Sequence, residues 1–432
     1  MLGGGTFTSQ DKILPGAYIN VVSAARAVNE AERGIVAMPM ILGWGPVDEV
    51  MKITKEEFDK NCLRLLGYPK DAAEMLPFRE IFRNAVTLYF YRLNSTPVKA
   101  TCSYAEARYG GTRGNDLKVV IQKNVDDESK YDVKTLIGTA VYETQTVAAA
   151  SGLADNAFLV FKKDAALAET AGTALTGGTD GSTVTGDSYQ AFLDKIEAYS
   201  FNAIGCPTKD EAVISLFTAF AKRMREGLGI KFQTVVYKAA RTDYEGIISV
   251  DNKAAELEPG LVYWTAGASA ACALNKSNTN KIYNGEYTVE TPHTQIQLEE
   301  AVKAGKFVFH RVGDDIRVLR DINTLITFTD EKNSDFSDNQ TIRILDAIGN
   351  RVAGIFSQKY MGQIPNDDSG RVSLWNDIVT YLKELVAGRA IEAFESETVT
   401  VDKGETKRSV VASLPVTPIN CMEQLYMTVV VS

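Results

Sequence analysis

Hydrophobic and polar positions along the 432 residues follow two different periods, and the change of period divides the chain. LPGAYINVV (Leu14 to Val22) sets a Pro-Gly turn before the alternation Ala17, Ile19, Val21, which predicts a strand. GIVAMPMILGW, Gly34 to Trp44, predicts a second. Thr54-x-x-Glu57 is a capping box, Phe58, Cys62 and Leu65 follow at helical spacing, and Gly67 ends the helix. A shorter helix around Pro77 to Asn84 leads to the strand VTLYFYRL, Val86 to Leu93. From about Pro97 to Asp180 strand-like runs take over (LKVVIQKN, VKTLIGTAVYETQTV, AFLVFKK) with no helical period, so this stretch predicts an all-β insertion. It closes in AGTALTGGTDGSTVTG, Ala171 to Gly186, where five Gly and five Thr in sixteen residues indicate loop.

Helix and strand then alternate. Tyr189, Phe192, Ile196 and Tyr199 keep helical spacing before the strand FNAIGCP. Thr208-x-x-Glu211 opens a helix carrying Val213, Phe217, Phe220 and Met224, which stops at Gly227 to Gly229. KFQTVVYK and GIISV read as strands, followed by a helix entered through Pro259. Such alternation favours an α/β sheet with helices packed on it. Lys306 to Phe328 is hairpin-like. Two amphipathic helices follow, one on Leu345, Ile348, Val352 and Ile355, the other on Val372, Trp375, Val379, Leu382 and Val386. Strands at Thr398 to Val401 and Ser409 to Leu414 lead to SLPVTPIN, which Pro415 and Pro418 keep extended, with a reach of about 25 Å. In MEQLYMTVVVS, Leu425, Met427, Val429 and Val431 alternate with Tyr426, Thr428 and Val430, the pattern of a strand buried on both faces.

The expected fold class is α/β (α+β overall) and multi-domain. An α/β body (23–96 and 182–335) carries an inserted all-β domain (97–181) and precedes an α+β C-terminal domain (336–414). Extended arms at 1–22 and 415–432 flank these parts. Composition adds exclusions. With 45% hydrophobic and 23% charged residues the chain is ordinary globular protein, and a net charge of −9 argues against nucleic acid or an anionic membrane surface as partner. MLGGGTFTSQDK lacks the basic and apolar regions of a secretory signal. Gly260 to Leu274 is apolar for fifteen residues, short of the roughly 20 that span a bilayer, and reads as a core helix. Cysteines at 62, 102, 206, 272 and 421, odd in number and without C-x-x-C, fit reduced thiols of a cytoplasm-made protein.

Catalytic patterns are scarce. His293 and His310 stand outside any metal spacing, and His310 reads as structural. Gly267-Ala-Ser269-Ala-Ala271 falls in a predicted helix, not on a nucleophile elbow. LTGGTDG precedes a helix without the lysine of a phosphate loop, so it reads as a joining loop. Asp126-Asp127, Asp314-Asp315 and Asp367-Asp368 lack EF-hand spacing. No cofactor and no metal site is expected.

Several stretches taken in order resemble the tail sheath proteins of contractile bacteriophages and phage-like bacteriocins. They are GGTFTSQDKILPGAYINVVS (Gly4 to Ser23), LTGGTDG, RVLRDINTL (Arg317 to Leu325), GRVSLWNDIVTYLKELV and LPVTPINCMEQLYMTVVV. The resemblance implies a non-enzymatic subunit that stacks as six-fold rings around an inner tube and contracts to drive that tube through a cell envelope. It implies arms that add strands to neighbouring subunits, carried here by Ala17, Tyr18, Ile19, Asn20 and Val21 and by Leu425, Tyr426, Met427, Thr428, Val429, Val430 and Val431. The implied partners are further copies of the chain, a tail tube protein, and baseplate and tail terminator proteins, with no membrane insertion. The implied location is a phage or phage-like particle, assembled in the bacterial cytoplasm.

The family places the tube contact in the C-terminal domain, where nine Lys/Arg against twelve Asp/Glu from Phe336 onward give no globally basic face. A local patch of Lys383, Arg389, Lys407 and Arg408 is the candidate, against a reading as solvated helix end and turn. Two other functions stay open at this stage. One is an enzyme on a doubly wound sheet with a site near Gly205 or Gly246; the other is a baseplate or surface-layer component.

Overall fold

The computed structural model describes residues 4–5, 17–18, 33–240 and 242–431. Chain contacts divide it into two compact units, one of residues 1–37, 80–86 and 200–432, the other of 38–79 and 87–199.

The larger unit is built on parallel strands. β1 (Ile35–Met40, joining through Val36 and Ala37), β2 (Ala203–Cys206), β3 (Gln233–Tyr237), β4 (Ile247–Val250) and β5 (Lys306–Phe307) lie in the spatial order β5-β4-β3-β2-β1. Every residue of β2, β3 and β4 is buried, as strands covered on both faces require. Helix α1 (Glu211–Lys222) follows β2 and helix α2 (Leu261–Ala271) follows β4. In α2 all ten residues from Leu261 to Ala270 are buried, which confirms the apolar stretch as a core helix. Gly267 is what lets it pack so closely: a Cβ there would stand 2.6 Å from the carbonyl oxygen of Ile81. A helix at Gln295–Lys303, absent from the sequence reading, is capped by Thr294 and Gln297. Its signal, T-x-x-Q, was present but carried by too short an apolar period to stand out.

The hairpin-like run resolves into the edge strand β5 and a true antiparallel hairpin, β6 (Phe309–Val312) with β7 (Asp315–Val318). Beyond it come helices α3 (Asn339–Ile355) and α4 (Asp368–Ala387) and the hairpin β8 (Thr400–Lys403) with β9 (Val410–Ser413). Asp338 caps α3 through the Gln340 N–H, and Asp367 caps α4 through the Gly370 N–H. The buried face of α4 is Leu374, Ile378, Val379, Tyr381, Leu382 and Leu385, packed with Ile344 and Ile355 of α3. It differs from the predicted stripe: Val372 is 56% exposed, and Trp375 turns aside to donate its indole N–H to the Val399 carbonyl at 2.8 Å. The helix serves two neighbours, α3 and the β8–β9 hairpin, so its apolar face is wider than a single spacing registers.

The smaller unit holds an antiparallel sheet in the order Thr170–Ala174, Leu117–Lys123, Tyr131–Ile137, Ala140–Val147. Leu117, Val119 and Ile121 are buried and alternate with more exposed residues. Val50–Thr54 pairs with Thr87–Arg92, and the capping box of Thr54 and Glu57 starts the helix Lys55–Leu66, which Gly67 ends at φ 81°. LTGGTDG is stapled in place: Asp180 accepts from the Thr112 N–H at 2.8 Å, and Asn115 exchanges two bonds of 2.9 Å with the Gly178 backbone. A Cβ on Gly178 would lie 2.5 Å from the Gly111 carbonyl oxygen, so the glycines serve close packing.

Candidate assembly interface

Of the predicted N-terminal arm, Ala17–Tyr18 pairs in parallel with Gly4–Gly5; Ile19, Asn20 and Val21 lie outside the described residues. The C-terminal stretch is described through Val431. Among the described residues no strand forms between Leu425 and Val431, and its apolar side chains stand open: Leu425 is 85% exposed, Val430 84% and Val431 91%.

What precedes it is held tightly. Val416 is buried in the α3–α4 core, Pro418 bridges Ile391, and the Ile419 N–H donates to the Ala390 carbonyl at 3.0 Å. Gln340, in the first turn of α3, grips the next residues. Its Nε2 donates to the Ile419 carbonyl at 3.1 Å, and its Oε1 accepts from the Cys421 N–H at 2.9 Å. Asn420 donates to Thr341 Oγ1 at 3.1 Å. Glu423 closes the clamp, accepting from Thr279 Oγ1 at 2.6 Å and from Arg320 Nε at 2.8 Å. The extended linker of the sequence reading is held within its own unit as far as Glu423. Gln340, Thr279, Arg320 and Glu423 were not singled out in the sequence, because polar residues far apart in the chain give no periodic signal.

The clamp stands on a buried polar network. The Asp321 N–H donates to Thr279 Oγ1 at 3.0 Å, and the Asp321 carboxylate takes Arg343 Nη2 at 2.8 Å, Asn339 Nδ2 at 2.9 Å and the Asn278 N–H at 2.9 Å. Burial works against its ionisation, yet the Arg343 charge and these donors hold the Asp321 carboxyl below its ordinary range. Asp338 is in the opposite position. Burial and the charge of Asp321 push its carboxyl up to about 7, against the Gln340 N–H that it caps. Arg343 and Asp321 are an internal ion pair, the kind whose single removal is costly.

The four basic residues do not form one patch. Lys407 and Arg408 are exposed in the β8–β9 turn, where Asn366, just before α4, donates to the Lys407 and Ser409 carbonyls at 3.2 and 2.9 Å. Lys383 and Arg389 are exposed at the other end of α4, whose twenty residues span about 30 Å. Elsewhere, the Ser269 hydroxyl is buried and donates to Gln233 Oε1 at 2.7 Å, and His310 lies on β6 beside Arg317, its pKa lowered by burial and that charge. Among the described residues, no group of three or more His, Cys, Asp or Glu could hold a metal ion, and no helix is long and apolar enough to cross a membrane.

Four family models match in succession: Tail sheath protein Gp18 domain III N-terminal region (33–93), Phage tail sheath protein beta-sandwich domain (95–180), Phage tail sheath protein central domain (182–324) and Phage tail sheath C-terminal domain (331–432). They define a multi-domain structural protein of contractile tails. The chain belongs to the phage tail sheath family. It is 34% identical over 473 residues to Phage-like element PBSX protein XkdK of Bacillus subtilis (strain 168), with 100% of each chain covered. The sheath tail protein from Desulfitobacterium hafniense superposes with a TM-score of 0.82 at 37% identity, over 95% of this chain and 99% of that one. The anti-feeding prophage helical sheath in its contracted state shares the fold, with a TM-score of 0.56 at 13% identity over 98% of this chain and 99% of that one.

Proposed function

We propose that the chain polymerises as stacked six-fold rings around an inner tube, joined by exchanged arm strands, and contracts to drive the tube through a cell envelope. It does so without catalysis: the work comes from new contacts between subunits. Its partners are further copies of itself, the tail tube protein, and baseplate and tail terminator proteins, and it assembles in the bacterial cytoplasm. The observation that carries this reading is the stretch Leu425–Val431, apolar on both faces yet exposed immediately beyond a clamped root. An acceptor is available, since among the described residues the β8–β9 hairpin pairs only with itself and both outer edges are open. Five or six ladder bonds at about 0.5–1.5 kcal/mol net each would give a joint of several kcal/mol before apolar burial is added.

The tube contact belongs to the C-terminal part, through either the Lys407–Arg408 turn or the Lys383–Arg389 end of α4. Reversing the charge of each pair separately, and measuring co-assembly with the tube, tells which end is involved; unchanged co-assembly in both variants would remove the basic residues from the contact. Electron microscopy of the 432-residue chain beside a truncation after Glu423 tests the joint. Hollow tubes from the former and none from the latter are expected. Tubes from the truncation would overturn the strand-exchange reading.

A further inference from the structure

The pinned linker has a geometry that decides where Leu425–Val431 can pair. Asn366, at the entry of α4, holds the carbonyl of Ser409; Ala390, past the exit of α4, holds the N–H of Ile419. Between those two fixed points lies the full helix, about 30 Å long. The ten residue steps from Ser409 to Ile419 cover at most about 33–36 Å when fully extended. The segment from β9 through the two prolines therefore runs almost straight along α4, away from its own hairpin. Gln340, Thr341, Thr279 and Arg320 then fix residues 419–423 at that far end.

From Glu423 the eight steps to Val431 reach at most about 26–29 Å. The near end of β9, Ser413, lies six steps back from Ile419, roughly 20 Å away, and its far end another three steps, roughly 10 Å, beyond. Even before any residue is spent on turning round, the stretch can pass Ser413 by no more than about 6–9 Å, two or three residues, so it cannot pair along the whole of the hairpin.

We propose that residues 414–423 are a rigid spacer that keeps Leu425–Val431 off its own subunit's β8–β9 hairpin, so that the hairpin is left for the strand of a second copy. This rests on the strand-exchange reading above. Without the spacer, pairing within one subunit would compete at an effective concentration of the order of millimolar, far above that of subunits in a micromolar solution.

The test compares four forms of the chain: unaltered, with eight Gly/Ser residues inserted after Glu423, with Glu423→Ala and Gln340→Ala together, and truncated after Glu423. Sedimentation reports assembly, and hydrogen exchange of residues 400–413 in the monomer fraction reports hairpin pairing. The insertion is expected to raise the subunit concentration needed for tubes by at least about tenfold, with slowed exchange along β8 or β9. The released-clamp variant should shift the same way by less. Should the insertion assemble like the unaltered chain while the truncation fails, the spacer inference is wrong and strand exchange stands. Should the truncation assemble, strand exchange itself falls. Altered circular dichroism of the monomer would disqualify the double variant, leaving the insertion, which touches only exposed chain, to decide.

Discussion

Two neighbouring stretches near the C-terminus invert the usual relation between composition and burial. SLPVTPIN is polar and broken by prolines, yet the structure binds it along most of its length, with Val416 buried and Ile419 hydrogen-bonded on both sides of its peptide. LYMTVVV is apolar and rich in β-formers, yet it stands exposed. A polar segment is fixed by donors and acceptors waiting for it on α3. An apolar strand without a sheet has only apolar surface and an unpaired backbone to offer, and neither finds a partner among the described residues. Apolar composition therefore signals the need for a partner, not its presence in the same subunit.

Substitutions that undermine the bound stretch break this contrast most strongly. Arg343→Met leaves the Asp321 carboxylate buried without its counter-charge and is expected to cost about 3–5 kcal/mol in denaturant unfolding. A loss under about 1 kcal/mol would mean the pair is not the base of the clamp. Gln340→Ala orphans the Ile419 and Leu274 carbonyls and the Cys421 N–H, for roughly 1–3 kcal/mol. It should also speed hydrogen exchange at residues 419–423, and unchanged exchange there would contradict the clamp.

A pH series sharpens the contrast further. Because the native Asp338 carboxyl titrates at about 7, the folded chain keeps a proton that the unfolded chain releases near pH ~4. This group's contribution to stability thus falls as pH rises between those values and stays low above them. Asp338→Asn preserves the cap, so it should flatten the slope of stability across that window. An unaltered slope would assign the dependence to other groups. The smallest effect belongs to the exposed side: Val430→Ser should leave monomer stability within about 0.5 kcal/mol while weakening assembly. A clear loss of monomer stability would show that the strand packs on its own subunit after all.

Much of the architecture was legible because it is periodic. The buried helix at Leu261–Ala271, the parallel strands and the β-rich stretch each announce themselves by spacing or by continuous apolarity. Where one element faces two neighbours the signal blurred: α4 buries Leu374 and Leu385 and exposes Val372, although all three are apolar. The clamp was invisible for a different reason. Thr279, Arg320, Gln340 and Glu423 are brought together only by the fold, and each alone is an ordinary polar residue. The basic quartet shows the converse error, since residues that a sequence groups by charge are separated by the length of a helix.

Pro415 and Pro418 give the linker one more property. A strand laid on the open edge of β9 gains its cooperativity by adding one rung after another, and nothing in a uniform ladder says where to stop. Proline has no N–H to offer the next rung. In the joint proposed above, a strand zipping along β9 would meet these prolines two and five residues after its end, where neither offers an N–H to a further rung. In the proposed polymer, every link would then share the same upper limit on its number of rungs.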